Sequence, residues 1–87
     1  MGKTIFKDTN GNIHFGVNAP SADFKKAERK DIENILSNLG NKKLWRCTVC
    51  NDLHIGEISP KQCPTCFAID AFVEINKKEF SEIIKWL

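Results

Sequence analysis

Cys47-Thr48-Val49-Cys50, twelve residues, then Cys63-Pro64-Thr65-Cys66 contain every cysteine of the 87-residue chain. A Cys-x2-Cys loop is short enough to present two thiolates to one metal ion, so two such loops predict a single four-sulfur tetrahedron. Polarisable sulfur favours zinc or iron over magnesium or calcium, which take oxygen ligands. The predicted metal ligands are Cys47, Cys50, Cys63 and Cys66. With four thiolates filling the tetrahedron, no position is left open for a substrate or a reactive water.

Such a site matters to a chain of this size. Near ~80 residues an apolar core alone rarely supplies more than ~3–5 kcal/mol, whereas a structural tetrathiolate metal contributes on the order of 10–16 kcal/mol in small peptides. The metal is therefore expected to decide whether the central region folds. The competing account of four cysteines is two disulfides, which require an oxidising compartment. Met1-Gly2-Lys3 leads directly into polar sequence without an apolar leader core, and no run of apolar residues approaches membrane-spanning length. A cytoplasmic protein with no membrane partner is expected.

Net charge is +2. Residues 1–43 carry a net +3, residues 44–76 a net −2 and residues 77–87 a net +1, so the cysteine region is the acidic part. A nucleic-acid-binding ribbon would carry basic and aromatic residues beside its metal loops. No nucleic-acid partner is expected.

Three segments follow. In residues 1–43, Ile13, Phe15 and Val17 alternate after Asp8-Thr9-Asn10-Gly11-Asn12, whose Asn-Gly suits a tight hairpin turn. Strands are expected near 4–7 and 12–17, with His14 on the opposite face, in solvent. After Pro20, Ser21 is the expected N-cap of an amphipathic helix of about four turns carrying Phe24, Ala27, Ile32, Ile35, Leu36 and Leu39, ended by Gly40. In residues 44–76, Leu44-Trp45-Arg46 enters the first cysteine loop as a strand, and Ala71 to Ile75 leaves the second as another. Gly56 and Ser59-Pro60 break up the stretch between. Residues 77–87 read as a second amphipathic helix with Phe80, Ile83, Ile84 and Leu87 on one side and Trp86 near the end. Its apolar side calls for cover by the first helix or by a second copy of the chain in a homodimer. The expected architecture is α+β, one compact unit organised about the metal.

Trp45 two residues before the first cysteine, His54-Ile55-Gly56 after the first loop, Pro60 three before the third cysteine, Cys63-Pro64-Thr65-Cys66 and Phe72 in the exit strand form a more specific set than paired Cys-x2-Cys alone. Over residues 44–76 the chain resembles the rubredoxin-like domain of rubrerythrins. Free-standing rubredoxins have a much longer insert between the cysteine loops. The resemblance implies a single iron held by four cysteinates and cycling between ferric and ferrous states, with zinc as a substitute. It implies an electron carrier rather than an enzyme, served by a reductase or flavoprotein donor and an oxidoreductase acceptor. Backbone N–H groups directed at the sulfurs would help set its potential. Val49, Leu53, Ile55, Thr65 and Phe67 are candidates for the exposed edge, Trp45 for packing on the site, and His54 for a surface or metal-adjacent residue that is not a ligand.

Two departures stand out. The family often has Gly after each Cys-x2-Cys pair, where φ is positive; here Asn51 and Phe67 stand there, and a bulky Phe at positive φ costs ~1–2 kcal/mol. A second loop of different shape is therefore expected. The Glu-x-x-His motifs of the rubrerythrin diiron bundle are absent from this sequence. The alternative function is a zinc-stabilised module that binds a partner protein.

Overall fold

The computed structural model describes residues 2–85. Six strands, β1 (Thr4–Lys7), β2 (Ile13–Gly16), β3 (Lys25–Lys26), β4 (Lys43–Cys47), β5 (Leu53–Gly56) and β6 (Phe72–Ile75), and two helices, α1 (Arg29–Ser37) and α2 (Lys77–Ile84), make an α+β fold. The sheet is antiparallel in order β3-β1-β2-β5-β4-β6. The pairing of β2 with β5 joins the N-terminal hairpin to the strands around the cysteine loops.

Strand alternation divides the sheet into two faces. Ile13, Phe15, Leu44, Leu53, Ile55 and Ile75 lie on one, where Ile32 of α1 and Phe80 and Ile84 of α2 complete the main apolar core. His14, His54 and Trp45 lie on the other, paired across neighbouring strands. Here Cys47, Cys63, Ala71 and Phe72 form a second buried cluster, with Trp45 packed against it. One face carries the helices and the other carries the cysteine loops.

The hairpin falls where alternation and Asn-Gly put it, with Gly11 at φ 81°. The first helix is shorter than expected. Residues 24–27 are not helical: Lys25 and Lys26 pair against β1, and the Ala27 N–H donates to the Ile5 carbonyl at 2.8 Å. The helix starts instead after Glu28, whose N–H donates to Asp31 Oδ2 at 2.9 Å. An acidic residue at that third position meets the positive helix end, and the pairing of Lys25 and Lys26 with β1 excludes the earlier start at Ser21. Asn38 caps α1 at its C-terminus, and Gly40 takes φ 58° two residues further on.

The second helix is capped by Asn76 Oδ1, which accepts from the Glu79 N–H at 2.8 Å. It docks on the sheet through Phe80 and Ile84, and Arg29 Nη2 donates to the Ile84 carbonyl at 2.7 Å. The cover expected for its apolar side thus includes the sheet as well as the start of α1. The expected positions of Trp86 and Leu87 lie outside the described residues. No helix among the described residues is long and apolar enough to cross a membrane.

Candidate metal centre

The two cysteine loops share one hydrogen-bonding plan. In the first, the Cys47 N–H donates to Asp52 O at 2.8 Å and the Asn51 N–H to Cys47 O at 3.0 Å. In the second, the Cys63 N–H donates to Ala68 O at 2.9 Å and the Phe67 N–H to Cys63 O at 2.9 Å. Asn51 at φ 66° and Phe67 at φ 65° occupy the same turn. The differently shaped second loop expected from Phe67 is not found; Phe67 accepts the left-handed conformation with its ring largely in solvent.

These loops bring all four sulfurs within 4.8 Å of one another. Cys47 Sγ lies 3.7 Å from Cys66 Sγ, and Cys50 Sγ lies 3.5 Å from Cys63 Sγ. A disulfide needs about 2.05 Å, so neither pair is bonded, and all four are free thiols. Four sulfurs at ~2.3 Å from a central ion would be ~3.8 Å apart in a regular tetrahedron. The donor set and its spacing fit one thiophilic metal ion. Cys47 and Cys63 are buried, and Cys50 and Cys66 reach toward the surface.

Without a metal the thiols are unevenly poised. Burial raises the Cys50 thiol above its usual range and pushes Cys63 up to about 11. The Ala68 N–H directed at Cys66 lowers that thiol. The Asp52 N–H is directed at Cys50 Sγ in the same way, and those of Thr65 and Cys66 at Cys63 Sγ. These amides stabilise thiolate charge where a metal complex would carry it.

Beside the sulfurs lies a buried polar chain that the sequence reading missed. Asp52 Oδ1 takes an ion pair from Lys3 Nζ at 2.6 Å, and Oδ2 takes His14 Nε2 at 3.1 Å. His14 Nδ1 in turn meets His54 Nδ1 at 3.1 Å. The Cys63 thiol donates to Asp52 Oδ2 at 3.5 Å. Asp52 and His14 are 0 % exposed, so the solvent position expected for His14 is wrong. It does face away from Ile13 and Phe15, but that face is covered by the metal loops and Phe72. His54 is buried too, with the Phe24 and Phe72 rings near it. It is not at the surface. In the sequence His54 lies between Leu53 and Ile55 as His14 lies between Ile13 and Phe15, and the pairing of β5 with β2 sets the two histidines opposite one another.

Burial alone would raise the Asp52 carboxyl. Hydrogen bonds from His14, Lys3 and Thr65 outweigh it and hold the group well below the usual carboxylate range. His54 goes the other way: burial, reinforced by neighbouring His14, brings it down to about 3.

Of the residues expected at the exposed edge, Val49 is 66 % and Phe67 64 % exposed, but Leu53 and Ile55 are both fully buried in the main core. Leu53 and Ile55 point through the sheet to the helix side. Thr65 is half-buried, its Oγ1 accepting from the Val17 N–H at 3.0 Å. Trp45 packs against the cysteine cluster as expected, its Nε1–H donating to Gly56 O at 3.1 Å.

Neither a curated protein nor a solved structure matches the chain. Residues 45–72, about a third of the chain and the part that carries both cysteine loops, match the family model described as the rubredoxin-like domain of rubrerythrin.

Proposed function

We propose that this protein is a one-electron carrier in which Cys47, Cys50, Cys63 and Cys66 hold a single iron. The observation that carries the reading is the pair of matching loops that hold four thiols within 4.8 Å of one another. Iron bound by four thiolates supplies a ferric/ferrous couple, whereas zinc in the same site has no redox chemistry. The chain's own part is to hold the sulfurs in one arrangement for both charge states and to direct amide N–H groups at them. Val49 and Phe67 give the site an exposed apolar margin near the more accessible Cys50 and Cys66. Small, partly apolar surfaces of this kind suit the brief encounters of electron transfer.

On this reading the protein has no catalytic site of its own. It takes electrons from a reductase or flavoprotein and gives them to an oxidoreductase, in a compartment such as the cytoplasm where thiols stay reduced. The test is the visible spectrum of anaerobically purified protein before and after dithionite, with metal analysis of the same sample. Thiolate-to-iron bands that bleach on reduction and return in air, at one iron per chain, are expected. A chain that selects zinc even when iron is supplied in excess in cells would leave a structural module instead.

A further inference from the structure

Asp52 and Ala68 hold equivalent places in the two cysteine loops, each accepting from the N–H of its loop's first cysteine. Only the first loop puts a charge there. The Asp52 carboxylate turns inward, is 0 % exposed and lies with Oδ2 3.5 Å from Cys63 Sγ of the other loop. A buried anion beside four sulfurs that together become anionic on binding metal is unfavourable unless it is paired. Both of its side-chain partners beyond the cysteine loops come from the N-terminal hairpin region, outside the segment that resembles the rubredoxin-like domain. Lys3 Nζ pairs with Oδ1 and also donates to Cys50 O at 2.6 Å, and His14 Nε2 pairs with Oδ2. His54 stands behind His14.

We infer that the N-terminal hairpin completes the metal centre electrostatically: Lys3 and Asp52 form a charge pair against the sulfurs that sets how much negative charge the centre tolerates. Lys3 and Asp52 are positioning residues and ligate nothing. This rests on the carrier reading for its consequence for the potential, but not for its consequence for metal affinity. Because Lys3 is positive and Asp52 negative, removing each must act in opposite directions. Adding an electron puts one more negative charge on the centre. Lys3→Met therefore lowers the midpoint potential, Asp52→Asn raises it, and the double variant returns toward the parent. A dication entering four thiols releases their protons and leaves a net negative centre. At fixed pH, Lys3→Met accordingly weakens binding of cobalt(II) and Asp52→Asn strengthens it.

The experiment uses the full chain at one pH, near 8. Cobalt(II) affinity is read by its thiolate charge-transfer band against a competing chelator, and the potential is read on iron-loaded protein by spectroelectrochemistry. Each single variant is expected to change the cobalt(II) constant about tenfold and the ferric-to-ferrous affinity ratio about tenfold, which is ~59 mV for one electron. Lys7→Met, at the far end of β1, is the control and should change neither. If Lys3→Met does not fold, Lys3→Gln replaces it. Shifts of the same sign in both variants, or shifts below about twofold, overturn the inference, since a merely structural ion pair would weaken the site in both variants. Iron-loaded protein that fails to cycle, with cobalt(II) constants still moving oppositely, ends the carrier reading and leaves the charge pair standing. Normal cycling without opposite shifts does the reverse.

Discussion

The imidazoles of His14 and His54 are directly opposed on adjacent strands, with Nδ1 3.1 Å from Nδ1 inside the protein. One nitrogen must carry the proton that the other accepts, so both rings cannot be doubly protonated without breaking the contact. His54 is brought down to about 3 by burial and by His14. In the unfolded chain it titrates near ~6.5.

The sign of the resulting pH dependence follows from linkage. Between about pH 3 and ~6.5 the unfolded state binds the proton and the folded state does not, so stability from this group is full above ~6.5 and falls as pH is lowered. The slope should be on the order of 1 kcal/mol per pH unit below pH 6. Urea unfolding of metal-loaded protein between pH 4 and 8 measures it, and subtracting the profile of His54→Phe removes the contribution of metal release. Parallel profiles for the two proteins would mean that His54 is not held neutral.

Gly16, at the end of β2, is the point where the hairpin passes closest to the metal loops. A Cβ there would press into the Asp52 carboxylate and lie 2.8 Å from Thr65 Oγ1, two groups fixed by other bonds. Gly16→Ala should cost about 2–4 kcal/mol, because overpacking here also disturbs a buried ion pair. It should also weaken cobalt(II) binding, although position 16 is remote from the cysteines in sequence. A cobalt(II) constant equal to the parent's in a destabilised Gly16→Ala protein would separate the hairpin from the site.

How much of this was legible depended on whether a signal was local. The four ligand candidates were readable because Cys-x2-Cys is a complete local unit, and the hairpin because Asn-Gly and alternation agree. Spacing alone starts α1 too early because Phe24 and Ala27 continue the helical spacing of Ile32 and Ile35, while the pairing of Lys25 and Lys26 with β1 is a tertiary fact. β5 has only four residues, too few for alternation to stand out between two loops. The burial of His14 is hidden for a physical reason: alternation tells which face a residue is on and not what covers that face. The cover comes from residues far along the chain, Asp52, His54 and Phe72 among them, and nothing in the neighbourhood of His14 announces them. Asp52 and Lys3 form an ion pair across 49 positions, which no spacing rule reveals.

Phe67 and Asn51 provide a matched pair for measuring backbone strain. Both sit at φ near 65° in equivalent turns, but left-handed backbone costs a bulky residue ~1–2 kcal/mol and Asn less. Phe67→Gly relieves that strain, loses little packing because the ring is largely exposed, and gives back ~0.5–1 kcal/mol through the more flexible unfolded chain. A net gain of about 0.5–1 kcal/mol is expected in thermal or urea unfolding. Asn51→Gly should be neutral or slightly destabilising, since it also loses the Arg46 Nη1 to Asn51 Oδ1 bond at 3.1 Å. A gain for Asn51→Gly that matches or exceeds the gain for Phe67→Gly would show that the turn does not distinguish the two side chains.

The two faces of the sheet should respond differently to loss of the metal. Among the described residues the helix side has nine buried apolar residues in continuous contact. The cysteine side has Cys47, Cys63, Ala71 and Phe72 at its centre, and two of those four would be unliganded thiols. Loss of the one ion that joins the loops leaves that cluster little to hold it. Cys50→Ser/Cys66→Ser should therefore keep α1, α2 and the central strands while residues 47–52 and 63–70 lose their order. The loss of stability should be at least ~5 kcal/mol, a fraction of the ~10–16 kcal/mol seen where a metal folds a whole peptide, because β4 and β5 are also held by the core. Hydrogen exchange read amide by amide decides it, with Ile55 reporting the core and Phe67 reporting the loops. Protection lost at Ile55 together with Phe67 would show that the apolar core cannot stand without the metal.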